Sequence, residues 1–157
     1  MIVLGSIGVV AYAVIIPTSV HFSATFGFGT ALNQTEDAYN ALQTPANTFV
    51  SDRKACRANA TSTTEELQCL QSTDTAFGNA IQGYENTLNT IYYPSSVQGQ
   101  ANAAIAAAQH LDAQLQSLAT APDPQTYNSI ENAPAFNAAL NSLDSTYNQL
   151  ITALNGT

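Results

Sequence analysis

"SDRKACRANATSTTEELQC", residues 51–69, holds all three basic side chains of the chain and both of its cysteines. Arg53, Lys54 and Arg57 surround Cys56, and Cys69 follows a run of small polar residues. The stretch reads as the end of one helix, a polar loop from Ala58 to Ser62, and the start of a second helix. Thr63-Thr64-Glu65-Glu66 supplies a capping box, with Thr63 accepting from the amide of Glu66 and Glu66 reaching back. Antiparallel helices joined in this way bring Cys56 and Cys69 to the same end of a hairpin. A disulfide between them would close a loop of about a dozen residues and contribute roughly 3 kcal/mol by loop-entropy arithmetic.

Other chemistry fits these cysteines less well. A structural zinc site wants four Cys or His ligands, and His21 and His110 stand far away in sequence without ligand-like spacing. The Cys-x-x-Cys spacing of redox catalysis is absent. A structural disulfide implies an oxidising compartment. The neighbouring cations fit a helix C-terminus, where positive charge complements the macrodipole. They would lie at the surface with Asp52, Glu65 and Glu66 as counter-charges.

Outward from this hairpin, apolar residues recur at spacings of three and four, the signature of packed amphipathic helices. The first stripe is Leu32, Tyr39, Leu42, Ala46, Phe49 and Cys56. Leu67, Leu70, Phe77, Ile81, Tyr84, Leu88 and Ile91 form the second. A third runs through Val97, Ala101, Ala104, Ala108, Leu111, Leu115 and Leu118, and a fourth through Phe136, Leu140, Leu143, Tyr147, Leu150 and Leu154. The pattern predicts an all-α, elongated antiparallel four-helix bundle over residues 30–157. Ser95 is expected to cap the third helix, with Gln98 at its third position. Asp123 should cap a further segment, with Pro124 in the first turn. Asn155-Gly156 ends the last helix. Pro45 and Pro134 each imply a kink or a join between a short and a longer helix. The alanine-rich run Ala101–Gln109 implies close packing against large partners such as Phe77 or Tyr147, or else a narrow groove.

Residues 1–29 have a different character. "MIVLGSIGVVAYAVII" is almost unbroken apolar sequence closed by Pro17, and the first 35 residues contain no Asp, Glu, Lys or Arg. A secretory signal would begin with a basic region, which is missing here. Cleavage after Ala11-Tyr12-Ala13 would leave an apolar new terminus. Residues 2–22 supply the roughly 20 positions that a membrane span requires, if Pro17 is tolerated as a kink. An uncleaved anchor contacting membrane lipid is therefore expected, with a start upstream of Met1 as one explanation for the missing basic flank. The localisation this implies is the cell membrane, single-pass, with the helical domain outside the cytoplasm. The protein would be secreted if the segment is cleaved.

Charge narrows the function further. Of 157 residues only 9% are charged, and the formal net charge is −8. Three basic residues cannot neutralise a phosphate backbone, so no nucleic-acid partner is expected. Catalytic groupings are sparse: His110 and Asp112 flank Leu111 and do not share a helix face. Gly78 and Gly83 lack the strand context of a phosphate loop. Asp74 is unusual because it falls on the inward stripe between Leu70 and Phe77, where a carboxylate needs a partner or water. A solvated layer reached by Arg53 or Arg57 would satisfy it. Asn33, Asn59 and Asn155 match the glycosylation pattern, as expected by chance in a chain rich in Asn and Thr. The Ala-, Asn-, Gln- and Thr-rich, lysine-poor composition looks like that of small exported helical proteins of high-GC bacteria.

These readings point to a non-enzymatic, membrane-anchored, extracytoplasmic bundle. It would act as an interaction or accessory module of a cell-envelope complex, partnered by another envelope or membrane protein. No catalytic residue, metal or cofactor is assigned. The alternative is a carrier for an apolar ligand, lipid or haem, held between helices beside the alanine-rich segment. Tyr92, Tyr93 and His110 would then be the first candidates for iron ligation.

Overall fold

In a computed structural model of the chain, the structure describes residues 27–156. The expected anchor over residues 2–22, the kink at Pro17 and His21 lie outside the described residues. Within them all regular structure is helical: α1 (Phe28–Asn40), α2 (Gln43–Asn59), α3 (Thr63–Thr90), α4 (Gln98–Ala119), α5 (Pro124–Glu131) and α6 (Pro134–Asn155). No helix among the described residues is long and apolar enough to cross a membrane.

The four apolar stripes become four antiparallel arms made from six helices, because the first and last arms are each broken near a proline. Pro45 is the third residue of α2 and ends nothing itself. Its missing N–H falls among the first-turn amides that have no intrahelical acceptor. The break instead lies at Ala41-Leu42. Pro134 opens α6 directly after Ala133, so the fourth stripe is preceded by the separate short helix α5.

Side-chain contacts fix the direction of each arm. Phe49 of α2 stacks on Phe77 of α3, with centroids 4.6 Å apart. Further along α2, Arg53 meets Asp74 and Cys56 meets Cys69, so α2 and α3 are antiparallel. Between α3 and α4, Gln71 donates to the Ala121 carbonyl, Gln82 to Asp112, and Gln109 to Glu85, again in opposite order. α6 packs on α4 and on α1, closing the ring of arms. α3 carries 28 residues and is therefore about 42 Å long.

The stripes supply the core. Residues of the second, third and fourth stripes are buried, Leu67 only partly, and Leu32 is partly buried in the first. Ala101, Ala104, Ala107 and Ala108 are buried as well, and α4 packs on both α3 and α6. Their small side chains let the neighbouring backbones approach. Gly78 of α3 is one point of close approach to α4: a Cβ there would stand 3.3 Å from Asp112 Oδ1. Phe77 stacks on Phe49, and Tyr147 lies 3.7 Å from Tyr39, both in the first arm.

Two caps shift by a residue or more. Ser62, not Thr63, caps α3, accepting from the amide of Glu65 at 3.2 Å. Glu65 reaches back to the Thr61 amide and hydroxyl at 2.9 and 2.6 Å. Ser62 wins because its backbone is still extended, which an N-cap requires. Ser95 likewise fails as a cap: residues 95–97 form a turn from the Pro94 carbonyl, and α4 begins at Gln98. Asp123 caps α5 as expected, accepting from the Thr126 amide at 2.9 Å.

Cys56 and Cys69 are joined, with Cα atoms 5.5 Å apart. Cys56 is buried on the inner face of α2, whereas Cys69 lies on the exposed face of α3. The bond therefore ties the core side of one arm to the flank of the next. Replacing both cysteines by alanine should lower unfolding free energy by about 3 kcal/mol with the helical signal retained. Urea titration followed by circular dichroism checks this, and an unchanged midpoint would show that the hairpin is equally restrained without the bond.

Candidate functional site

One turn below the disulfide, α2 turns a guanidinium inward. Arg53 follows Phe49 by four residues and precedes Cys56 by three, so it shares their buried face and is only 3% exposed. The expectation of a surface cation at a helix end is corrected here: only Arg57 occupies the last turn of α2. A buried charge must be paired, and two helices supply the three acceptors. Arg53 Nη1 donates to Asp74 Oδ1 of α3 and to the Tyr127 hydroxyl of α5 at 2.7 Å. Its Nη2 donates to Glu131 Oε1, one helical turn beyond Tyr127.

The cluster closes on itself. Tyr127 donates its hydroxyl proton to Asp74 Oδ2 at 2.6 Å. Arg57 Nη2 reaches Glu131 at 2.5 and 2.6 Å. Two guanidinium groups thus face two carboxylates, and the cluster is neutral in its ionised form. Phe49 covers the Arg53 guanidinium at 4.9 Å from its ring centroid, and Tyr127 at 5.7 Å. Arg53 Nε alone has no acceptor. At the exposed edge, Glu66 stands 3.8 Å from Arg57 Nε, a surface contact of small energetic weight.

Asp74 meets the expected arginine but not the expected water: it is fully buried. Burial pushes its carboxyl up to about 6, against the opposing pull of Arg53 and Tyr127. Burial works to lower the Arg53 pKa, but the field of Tyr127, Asp74 and Glu131 outweighs it, so the guanidinium stays charged. The asymmetry has a plain cause, since Arg53 has several acceptors while Asp74 shares its single cation with Glu131. Burial also raises the Tyr127 phenol above its ordinary range.

The other sequence candidates occupy separate settings. His110 is exposed, whereas Asp112 turns inward and is 9% exposed. Asp112 Oδ2 accepts from Gln82 at 3.1 Å and Gln116 at 2.6 Å, and its Oδ1 has no hydrogen-bond partner. Tyr92 is 83% exposed at the α3–α4 turn. Tyr93 beside it is buried, its hydroxyl 3.0 Å from Thr35 Oγ1. Tyr92, Tyr93 and His110 are therefore not gathered around one iron position. Among the described residues, no group of three or more His, Cys, Asp or Glu side chains is placed to hold a metal ion.

Two recesses flank the cluster. One, of about 70 Å³, is lined by Asp74, Gly78, Gln82, Asp112 and Gln116 among others. The second, about 260 Å³, is an open groove between α2 and α3 lined by Pro45, Phe49, Phe77 and Ala80 among others. Both fall below the ~300–1,000 Å³ usual for small-molecule pockets. A second polar layer lies toward the other end of the bundle. There Tyr39 donates to Asp144, stacks on Tyr147 and meets Tyr84 edge-on at 6.1 Å.

Arg53 was expected only as one of two cations in reach of Asp74, and Tyr127 and Glu131 escaped the sequence reading as partners. The available signal was position: Arg53 repeats the spacing of Ala46, Phe49 and Cys56, and Tyr127 and Glu131 share a face at i and i+4. Compared with protein-family models, curated proteins and solved structures, the chain shows no significant match. The function has to be argued from its own residues.

Chemically, the cluster binds three helices to one another. Both carboxylates are occupied by guanidinium and phenol groups, so neither faces a ligand. Arg53→Met, which strands Asp74 and half of the pairing of Glu131, should cost roughly 3–5 kcal/mol at neutral pH. The pH dependence is equally specific. Because the folded-state pKa of Asp74 lies above its ordinary 3.8, its contribution to stability is complete below pH 4 and declines as pH rises through about 6. Urea titrations at several pH values should therefore show wild type losing stability relative to Asp74→Asn across that window. A difference independent of pH would mean that Arg53 keeps Asp74 ionised throughout.

Proposed function

We propose that this chain is a non-enzymatic, extracytoplasmic helical module, tethered to the cell membrane by its N-terminal apolar segment and serving a membrane or envelope protein complex as an accessory subunit. The observation that carries this reading is the Cys56–Cys69 disulfide, because such bonds persist in oxidising compartments. The charge-free residues 1–35 supply the anchor. The cluster around Arg53 supports a rigid scaffold, since its acids and bases are spent on one another.

Non-enzymatic action follows from the same inventory. An active site needs a nucleophile, acid or base with a free face toward substrate. Here the buried carboxylates face arginine, tyrosine and glutamine donors, and His110 stands on an exposed helix face. The reading as a carrier of lipid or haem has less support, because the alanines expected to line its cavity are buried beneath α3 and α6.

The anchor has a direct test. The full chain should remain with membranes after alkaline carbonate extraction, and a variant carrying Ile7→Lys and Val14→Lys should be released. Recovery of unprocessed wild type in the soluble fraction would sink the reading, and a shortened soluble form would establish secretion instead. Cross-linking in intact membranes followed by mass spectrometry should return a membrane or envelope protein at stoichiometric yield.

A further inference from the structure

The charges of this chain are sorted by position along the bundle. The contact between Tyr93 and Thr35 brings the α3–α4 turn to the middle of α1. Gly27 lies eight residues before Thr35, about two helical turns further toward the same end. It has φ 125°, a backbone that glycine adopts without strain, and residues 1–26 join the bundle there. α6 runs to this end too. It leaves the level of Arg53 through α5, passes Tyr39 at Asp144 and Tyr147, and continues to Asn155.

The segments that meet here are residues 27–35, 86–109 and 145–156, and none contains Asp, Glu, Lys or Arg. All 11 acidic and three basic residues fall outside them. Glu36 and Asp37, which follow Thr35 on α1, are the nearest to this end, and the others occupy the level of Tyr39, Glu85 and Asp144 or lie beyond it, toward the disulfide. Side chains such as Asn33, Gln34, Ser95, Ser96, Gln98 and Thr152 are exposed at the neutral end and offer hydrogen-bonding groups without carrying charge. Tyr92 projects from the same end and is its one large exposed aromatic among the described residues.

We propose that this charge-free end is a lipid-facing surface that rests on the headgroup layer of the bilayer, with Tyr92 inserted as its interfacial anchor. The proposal builds on the tethered-module reading and names the surface that meets the membrane. Tyrosine suits this position, since its ring enters the apolar boundary while its hydroxyl stays among the headgroups. Keeping acids out of the segments that form this end removes two costs. Carboxylates beside hydrocarbon lose hydration, and a protein of net charge −8 is repelled by anionic headgroups at short range. An uncharged contact surface is also insensitive to salt, because it has no charge for counter-ions to screen. The chain enters at Gly27 on this same end, so the tether and the surface act together.

The chain contains no tryptophan, so Tyr92→Trp creates a single fluorescent reporter at an exposed site. Ala58→Trp, on the exposed side of α2 near the disulfide, reports on the opposite end. Both full-length variants are reconstituted into phosphatidylcholine vesicles, collected by flotation and checked for helical content. In the Tyr92→Trp variant the indole emission should shift to the blue and fall to roughly half when the lipid is brominated near its headgroup, while emission from the Ala58→Trp variant does not change. Adding salt or phosphatidylserine should leave both signals as they were. A Tyr92→Trp protein that floats with its indole exposed to water would overturn the lipid contact alone, even if that position instead cross-links to a protein in native membranes. A protein that fails to float would overturn the tether and this inference together.

Discussion

Arg53 is a full positive charge with almost no water around it, and removing such an ion from solvent costs several kcal/mol unless acceptors surround it. That requirement organises the lower half of the bundle. Asp74 must face inward from α3, and α5 must cross close enough for Tyr127 and Glu131 to reach the same guanidinium. Glu131 in turn needs Arg57, which extends the pairing to the edge of the solvent. Three helices are thus held in one register by a group that tolerates little displacement. The short helix α5, only eight residues long, has its place largely through these contacts and its Asp123 cap.

The two ends of the molecule solve the packing problem differently. Near the disulfide, charge is balanced against charge, and a covalent bond holds the hairpin closed. Toward the other end, aromatic rings and hydroxyls take over: the Tyr39–Tyr147 stack, the edge-on Tyr84 and the Thr35–Tyr93 contact. Burial raises the Tyr84 and Tyr147 phenols and the Asp144 carboxyl above their ordinary ranges. Phenols and hydroxyls can sit close to a low-dielectric phase without the desolvation cost that carboxylates carry. Between the ends, the small residues of α4 and Gly78 allow the helices to approach closely.

Much of this was legible because helical periodicity is a local property. The four stripes, the breaks near Pro45 and Pro134 and the pairing of Cys56 with Cys69 all follow from spacings within a few turns. The caps were less legible. Ser62 and Thr63 have equivalent chemistry, and only the extended backbone of Ser62 decides between them. Arg53 was hardest to place, although it sits in the step pattern of Phe49 and Cys56. Asp74 could be matched to it through the inward stripe of the second helix, but Tyr127 and Glu131 lie 74 and 78 residues away, and no local pattern announces so distant a partner. The setting of Asp112 was hidden for a related reason, since its inward position depends on the glutamines that receive it and the missing Cβ of Gly78.

The confinement of every Lys and Arg to positions 53–57 has a consequence for proteolysis. Proteases of trypsin-like specificity cut after Lys or Arg and require a locally unravelled segment. Here all three cleavage points lie within α2, one buried and one paired to Glu131. Exposing them means opening the Arg53 cluster, so digestion is governed by unfolding and not by loop mobility. A cut after Arg57 would still leave the two fragments covalently joined through Cys56 and Cys69. Scarcity of lysine and arginine thus gives this surface resistance to one whole class of digestive enzyme.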